Sequence, residues 1–244
     1  MSLGKDSKVA PAPLPMVPDS FLVRYLALSS ISSVPMSRMN RNKQIRSIVN
    51  SALFSFKYNK GLNALKRLRP EARMNQAYLS ALGIIYDHLA LKSKGHYKRI
   101  YNESARKQYK ELIRLFPNNP SGYWGLGRIA LQHKRWKQAI NYYEQARRLK
   151  PRWRSTHLAL AHAYSWSGKF NEARKIYLYD WKRRGPSFSV AYNLALLEDR
   201  AGRKTSSRKF ASHALRSLKR KRISIRNQPG YKLWERRLTA IVEG

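Results

Sequence analysis

The chain has 244 residues, 43% of them hydrophobic, enough to bury a core, and it sets 50 Lys and Arg against 13 Asp and Glu for a formal net charge of +37. A field of that sign attracts polyanions, whether nucleic acid, anionic membrane or acidic protein segments. The lack of cysteine excludes disulfides, zinc–thiolate sites, iron–sulfur clusters and thiol catalysis, and 13 carboxylates leave little material for general acid–base chemistry.

The opening stretch, MSLGKDSKVAPAPLPMVPDS, is proline-rich and lacks the basic-then-apolar order of a secretory signal. The longest apolar run, Phe21 to Val34, contains Arg24 and is shorter than the roughly 20 apolar residues a bilayer requires, so no integral membrane span is expected. Residues 20–70 carry ten Lys and Arg and no acid. Two readings of this N-terminal region stand, an organellar transit segment or a flexible basic arm, and residues 1–43 are set apart on that basis. Residues 44–75 read as a degenerate helix pair, split near Tyr58 to Gly61.

From there a period takes over. Gly168 and Gly202 are 34 residues apart, with Lys134 one period earlier; Ala105, Ala139, Ala173 and Ser207 form a second column, and Tyr109, Tyr143, Tyr177 and Ala211 a third. Pro117 and Pro151 repeat at the same distance, with Pro186 one residue late. Fixed periods of this length mark stacked supersecondary units. Each period holds two amphipathic helices, such as Ser121–His133 and Trp136–Leu149, bracketed by prolines that cannot continue a helix.

The pattern Tyr123-x2-Leu126-Gly127-x2-Ala130 followed by Trp136-x2-Ala139-x3-Tyr143-x2-Ala146-x4-Pro151 resembles a tetratricopeptide repeat. Leu160-Ala161-x2-Tyr164-x3-Gly168-x-Phe170-x2-Ala173-x3-Tyr177 fits nearly as well, although Asp180 stands where a small residue is usual. A third unit, Leu194-Ala195 to Gly202, departs at Lys204 and Ser207. The resemblance implies an all-α fold, a right-handed α-solenoid of antiparallel helix pairs. The repeat region spans 76–221, with units at 76–119, 120–153, 154–187 and 188–221. The first unit carries about ten extra residues, roughly Ala90 to Tyr101, that fit an extended helix or a basic loop equally. Residues 222–244 read as a basic C-terminal helix, Tyr231 to Val242, entered through a Pro229-Gly230 turn and serving as the cap that solenoids need.

In such a superhelix the first helix of each pair lines the concave face. Counting within units places Trp124, Arg128, Leu131, Leu158, His162, Trp166, Tyr192, Asn193 and Arg200 along a partner-binding groove of aromatics interleaved with cations, a mixture suited to an extended chain. For each aromatic, inter-repeat core is the competing assignment. The Lys and Asn clamp by which some members of the family hold a terminal carboxylate is absent: Trp124 and Arg128 stand where it would begin. Anion binding is assigned to the tail, where Arg203, Lys204, Arg208, Lys209, Lys219, Arg220, Lys221 and Arg222 are the densest cations and Glu235 is the one acid from Arg203 to Arg237.

No histidine or carboxylate spacing indicates a metal site or a catalytic group, and Gly202-Arg203-Lys204-Thr205 lacks the upstream glycine of a phosphate-binding loop. No cofactor is expected. The sequence therefore points to a non-enzymatic scaffold that binds a protein partner with an acidic or extended segment inside a larger complex. Two alternatives remain: an RNA-associated component of a ribonucleoprotein or organellar ribosome, and a peripheral adaptor on anionic lipid. The compartment is left open among cytoplasm, organelle and nucleus.

Overall fold

The computed structural model describes residues 36–68, 75–185, 187–220 and 229–244. The proline-rich start, the Phe21–Val34 run, Pro186 and the pair Lys221 and Arg222 lie outside them. Eleven α-helices and no strand occur among the described residues. In chain order they are α1 (Met36–Ser55), α2 (Tyr58–Lys66), α3 (Gln76–Lys92), α4 (Gly95–Leu115), α5 (Pro120–Gln132), α6 (Trp136–Leu149), α7 (Arg154–Trp166), α8 (Phe170–Arg184), α9 (Phe188–Arg200), α10 (Lys204–Lys219) and α11 (Pro229–Glu243).

Local chemistry sets the boundaries. Asn75 and Asn119 cap α3 and α5 by accepting from the backbone N–H of Ala77 and Ser121, at 2.8 and 2.9 Å. These caps are joined across units, because Asn75 Nδ2 donates to Asn42 and Asn119 Nδ2 donates to Gln76. The turns of the three regular units occupy one column, and Lys134, Gly168 and Gly202 all have left-handed backbone, at φ 59, 82 and 73°. Glycine adopts this conformation freely, whereas Lys134 holds it against the Cβ penalty.

Packing follows the repeat. Each second helix wedges between its own first helix and the next: α4 between α3 and α5, α6 between α5 and α7, α8 between α7 and α9. The tyrosine column fills these gaps, and Tyr109, Tyr143 and Tyr177 are buried to 1% exposure or less. Tyr109 fits because Gly83 and Gly125 face its ring; a Cβ on Gly125 would stand 2.4 Å from a ring carbon. Ser207, in the alanine column, is buried and donates to the Ala195 carbonyl, which satisfies its hydroxyl.

Three details correct the sequence reading. The break in the N-terminal pair falls at Phe56 and Lys57 rather than at Tyr58–Gly61, with Phe56 in left-handed backbone at φ 56°, and α1 already begins at Met36. The extra residues of the first unit lengthen both of its helices, which turn at Ser93 and Lys94. Pro229 and Gly230 are the first residues of α11 rather than a turn before it, consistent with the preference of proline for a first helical turn. This last helix seats Leu238, fully buried, and Trp234 against α9 and α10.

Candidate binding surfaces

First and second helices differ in burial and in charge. In α3, eleven of 17 residues are buried, whereas in α4 only four of 21 are. First helices meet one another, α3 with α5 and α5 with α7, and so form a continuous inner row. Across α3, α5, α7 and α9 there are four cations and three acids; across α4, α6, α8 and α10 there are 19 and five. The positive charge of the repeats therefore belongs to the outer helices.

Most charges of the inner row are neutralised within the row or by the adjoining helix and turn. Asp87, fully buried on α3, pairs with Arg128 on α5, and Gln132 donates to the same carboxylate at 2.9 Å. Arg154 grips Asp180 through two nitrogens at 2.7 and 2.9 Å. Glu198, also fully buried, receives Arg174 from α8 and Arg203 from the following turn. Buried carboxylates persist only with such partners. The sequence did carry a signal for one of them, the acid at Asp180 in a small-residue column, but its partner lies 26 positions away.

Of the nine groove residues expected from sequence, Trp124, Arg128, Leu131, Leu158 and Tyr192 are buried. Trp124 packs on Trp153 at 5.8 Å with Arg128 over its ring, and Arg128 is consumed by Asp87. These side chains weld repeat to repeat. His162, Trp166 and Asn193 are half-buried and Arg200 is exposed. Three of those four form one assembly. Trp166 stacks on Trp136 of the preceding unit at 5.7 Å and donates its indole N–H to His162 Nε2 at 2.7 Å. The Arg200 guanidinium lies 4.2 Å from the Trp166 ring centre and 5.6 Å from that of Phe170, and donates to Ser165 Oγ. Burial, with Arg200 nearby, holds His162 down to about 4, so its ring is neutral at pH 7.

The sequence-assigned anion sites divide differently. Arg203 is tied to Glu198 and Lys204 to Asp199, so neither guanidinium nor ammonium is wholly available. Arg208, Lys209, Lys219 and Arg220 are exposed at the surface of α10 and its end. Lys221 and Arg222 fall outside the described residues. Among the described residues no group of three or more His, Cys, Asp or Glu is placed to hold a metal ion, and no helix is long and apolar enough to cross a membrane.

Two tetratricopeptide repeat family profiles match the sequence, over residues 102–152 and 130–178. These matches straddle the helix pairs whose glycine–tyrosine packing is described above. The chain carries tetratricopeptide repeats. No curated protein sequence matches it. Among solved structures it is similar to TTC0263, a thermophilic TPR protein of Thermus thermophilus, with a TM-score of 0.62 and 17% identity over 84% of this chain and 100% of that one. It also resembles MamA, at a TM-score of 0.53 and 16% identity over 70% of this chain and 95% of the other, and a MamA RS-1 ArsTM double mutant at 0.55 and 14%, covering 73% and 95%. At these identities the likeness concerns the fold. A tetratricopeptide repeat protein is built to bind other proteins, and here the inner row and outer face offer two chemically distinct surfaces.

Proposed function

We propose that this tetratricopeptide repeat protein is a non-enzymatic scaffold whose first-helix row holds an extended acidic segment of a partner protein, with Arg200 receiving a carboxylate. The observation that carries this reading is the state of Arg200. Arg128, Arg154, Arg174 and Arg203 each hold a carboxylate of the chain itself. Arg200 is fixed by Trp166, Phe170 and Ser165, and no carboxylate among the described residues pairs with it. A guanidinium already held in place loses little freedom on binding and presents its remaining donors in a planar fork suited to a carboxylate.

The neighbouring Trp136–Trp166 stack supplies an apolar, half-buried platform for a side chain adjacent to that carboxylate. Among the other half-exposed positions of the row, Gln132, Asn193 and Leu196 are uncharged, and the Asp199 carboxylate is neutralised by Lys204 at 2.9 Å.

The test is binding of a labelled extended peptide alternating glutamate with an aromatic residue. Arg200→Gln is expected to weaken it about tenfold, the scale of one charge-assisted contact, and Trp166→Ala further. Equal affinity for the wild-type protein and Arg200→Gln would remove the reading.

A further inference from the structure

The lengthened hairpin of the first unit plays no part in that scaffold reading. From Leu91 to Ile100 every residue except the half-buried Ser93 is exposed, so the ends of α3 and α4 project past the packed repeats as a prong. In those ten positions the sequence places Lys92, Lys94, Lys98 and Arg99, together with His96, and the nearest acid further along α4 is Glu103.

Two aromatic rings stand among these cations. Tyr97 is 65% exposed and Phe56, in the turn between α1 and α2, is 63% exposed. Lys92 Nζ lies 5.4 Å from the centre of the Phe56 ring, which joins that turn to the prong. His96 packs edge-on against Tyr97 and shares a 3.2 Å hydrogen bond with Arg99. The backbone of Phe56 is held in the left-handed region, which is costly for a residue with a Cβ, and its ring is turned to solvent.

We infer that this prong binds single-stranded nucleic acid, with Tyr97 and Phe56 as stacking faces for bases and Lys92, Lys94, Lys98 and Arg99 on the phosphates. Every base offers a π-face, so exposed rings between cations grip a strand without reading its sequence. A lipid surface fits less well. Lys92, Lys94, Lys98 and Arg99 interleave with Leu91, Tyr97 and Ile100, so insertion of the apolar groups would drag ammonium groups toward acyl chains. An acidic peptide would satisfy the cations and leave the two rings without a planar partner. The inference is independent of Arg200, which lies on α9.

The experiment measures anisotropy of the full-length protein with labelled single strands of about twelve uridines or thymidines, between roughly 50 and 200 mM salt. Both strands are expected to bind, and tighter binding of one identifies RNA or DNA as the preferred source of the same chemistry. Tyr97→Ala is expected to weaken binding about tenfold and Tyr97→Phe to preserve it. Neutralising Lys94, Lys98 and Arg99 together with glutamine is expected to reduce the slope of log affinity against log salt by about 2. These side chains are exposed, so unchanged circular dichroism and thermal midpoint would show that the variants fold. Arg200→Gln is expected to leave strand binding intact, which separates this result from the peptide assay. The inference is overturned if neither strand binds, or if Tyr97→Ala and the triple variant bind like wild type. Binding of phosphatidylserine vesicles or polyglutamate in preference to both strands overturns it equally.

Discussion

The first and second helices of this protein solve opposite problems, the second being the longer in each repeat unit. The inner row of α3, α5, α7 and α9 pairs most of its few charges, Asp87 with Arg128 and Glu198 with Arg174 and Arg203, and leaves Lys92 and Arg200 exposed. The outer row of α4, α6, α8 and α10 leaves most of its cations in water; Glu111–Arg114 and Glu144–Arg147 are local i,i+3 contacts at the surface, while Asp180, Arg174 and Lys204 pair with the inner row. Most charge in the inner row is therefore structural, with Arg200 the exception, and most charge in the outer row faces water.

The sharpest way to break this comparison is at the buried pair. Arg128→Met strands the Asp87 carboxylate and is expected to cost about 3–5 kcal/mol in chemical denaturation, whereas the double variant Asp87→Leu/Arg128→Met recovers most of that loss. Next in size is overpacking of the tyrosine column. Gly125→Ala forces a methyl into the Tyr109 ring and is expected to cost about 1–3 kcal/mol. Tyr109→Phe is expected to be close to neutral, because the hydroxyl is buried without a protein hydrogen bond.

Acid should discriminate the rows as well. Burial lowers both His88 and His162 to about 4 from the ordinary 6.5. Between those values the unfolded chain binds more protons than the native one, so stability is full above about pH 6.5 and falls as pH drops toward 4. Thermal midpoints across that window should decline less steeply in His162→Gln. Smaller again is the turn column, where Lys134→Gly relieves a left-handed residue and is expected to raise stability by about 0.5–1 kcal/mol. Smallest is the outer surface: Arg208→Gln/Lys209→Gln should change stability by no more than about 0.5 kcal/mol, in the direction of relieved repulsion, and the change should vanish in high salt. A larger loss there would mean that the outer cations also hold the fold.

The repeat was legible because it is one-dimensional. The 34-residue columns at Ala105, Tyr109 and Gly168 reflect contacts renewed in every unit, and they survive one odd residue such as Ser207. The candidate site was legible only in part. Counting put Trp124 and Leu131 among the groove residues but could not tell a residue open to solvent from one covered by the next repeat, because neighbouring side chains such as Trp153 decide that. The pairing of Asp87 with Arg128 spans 41 positions and leaves no local pattern. The prong appeared as ten surplus residues, and whether they were coil or helix depended on the packing of α3 against α4.

The wedge arrangement of the helices has a kinetic consequence. The main helix–helix contacts join elements adjacent along the chain or one helix further on, from α1 against α2 and α3 to α11 against α9 and α10. Few distant loops must close before these contacts begin to stabilise the fold, a circumstance that favours rapid folding. Units can also form in succession, each templating the next. A polypeptide of this kind can acquire structure while its C-terminal part is still being synthesised. Pulse-labelled hydrogen exchange should then show α5–α6 protected before α11 has docked.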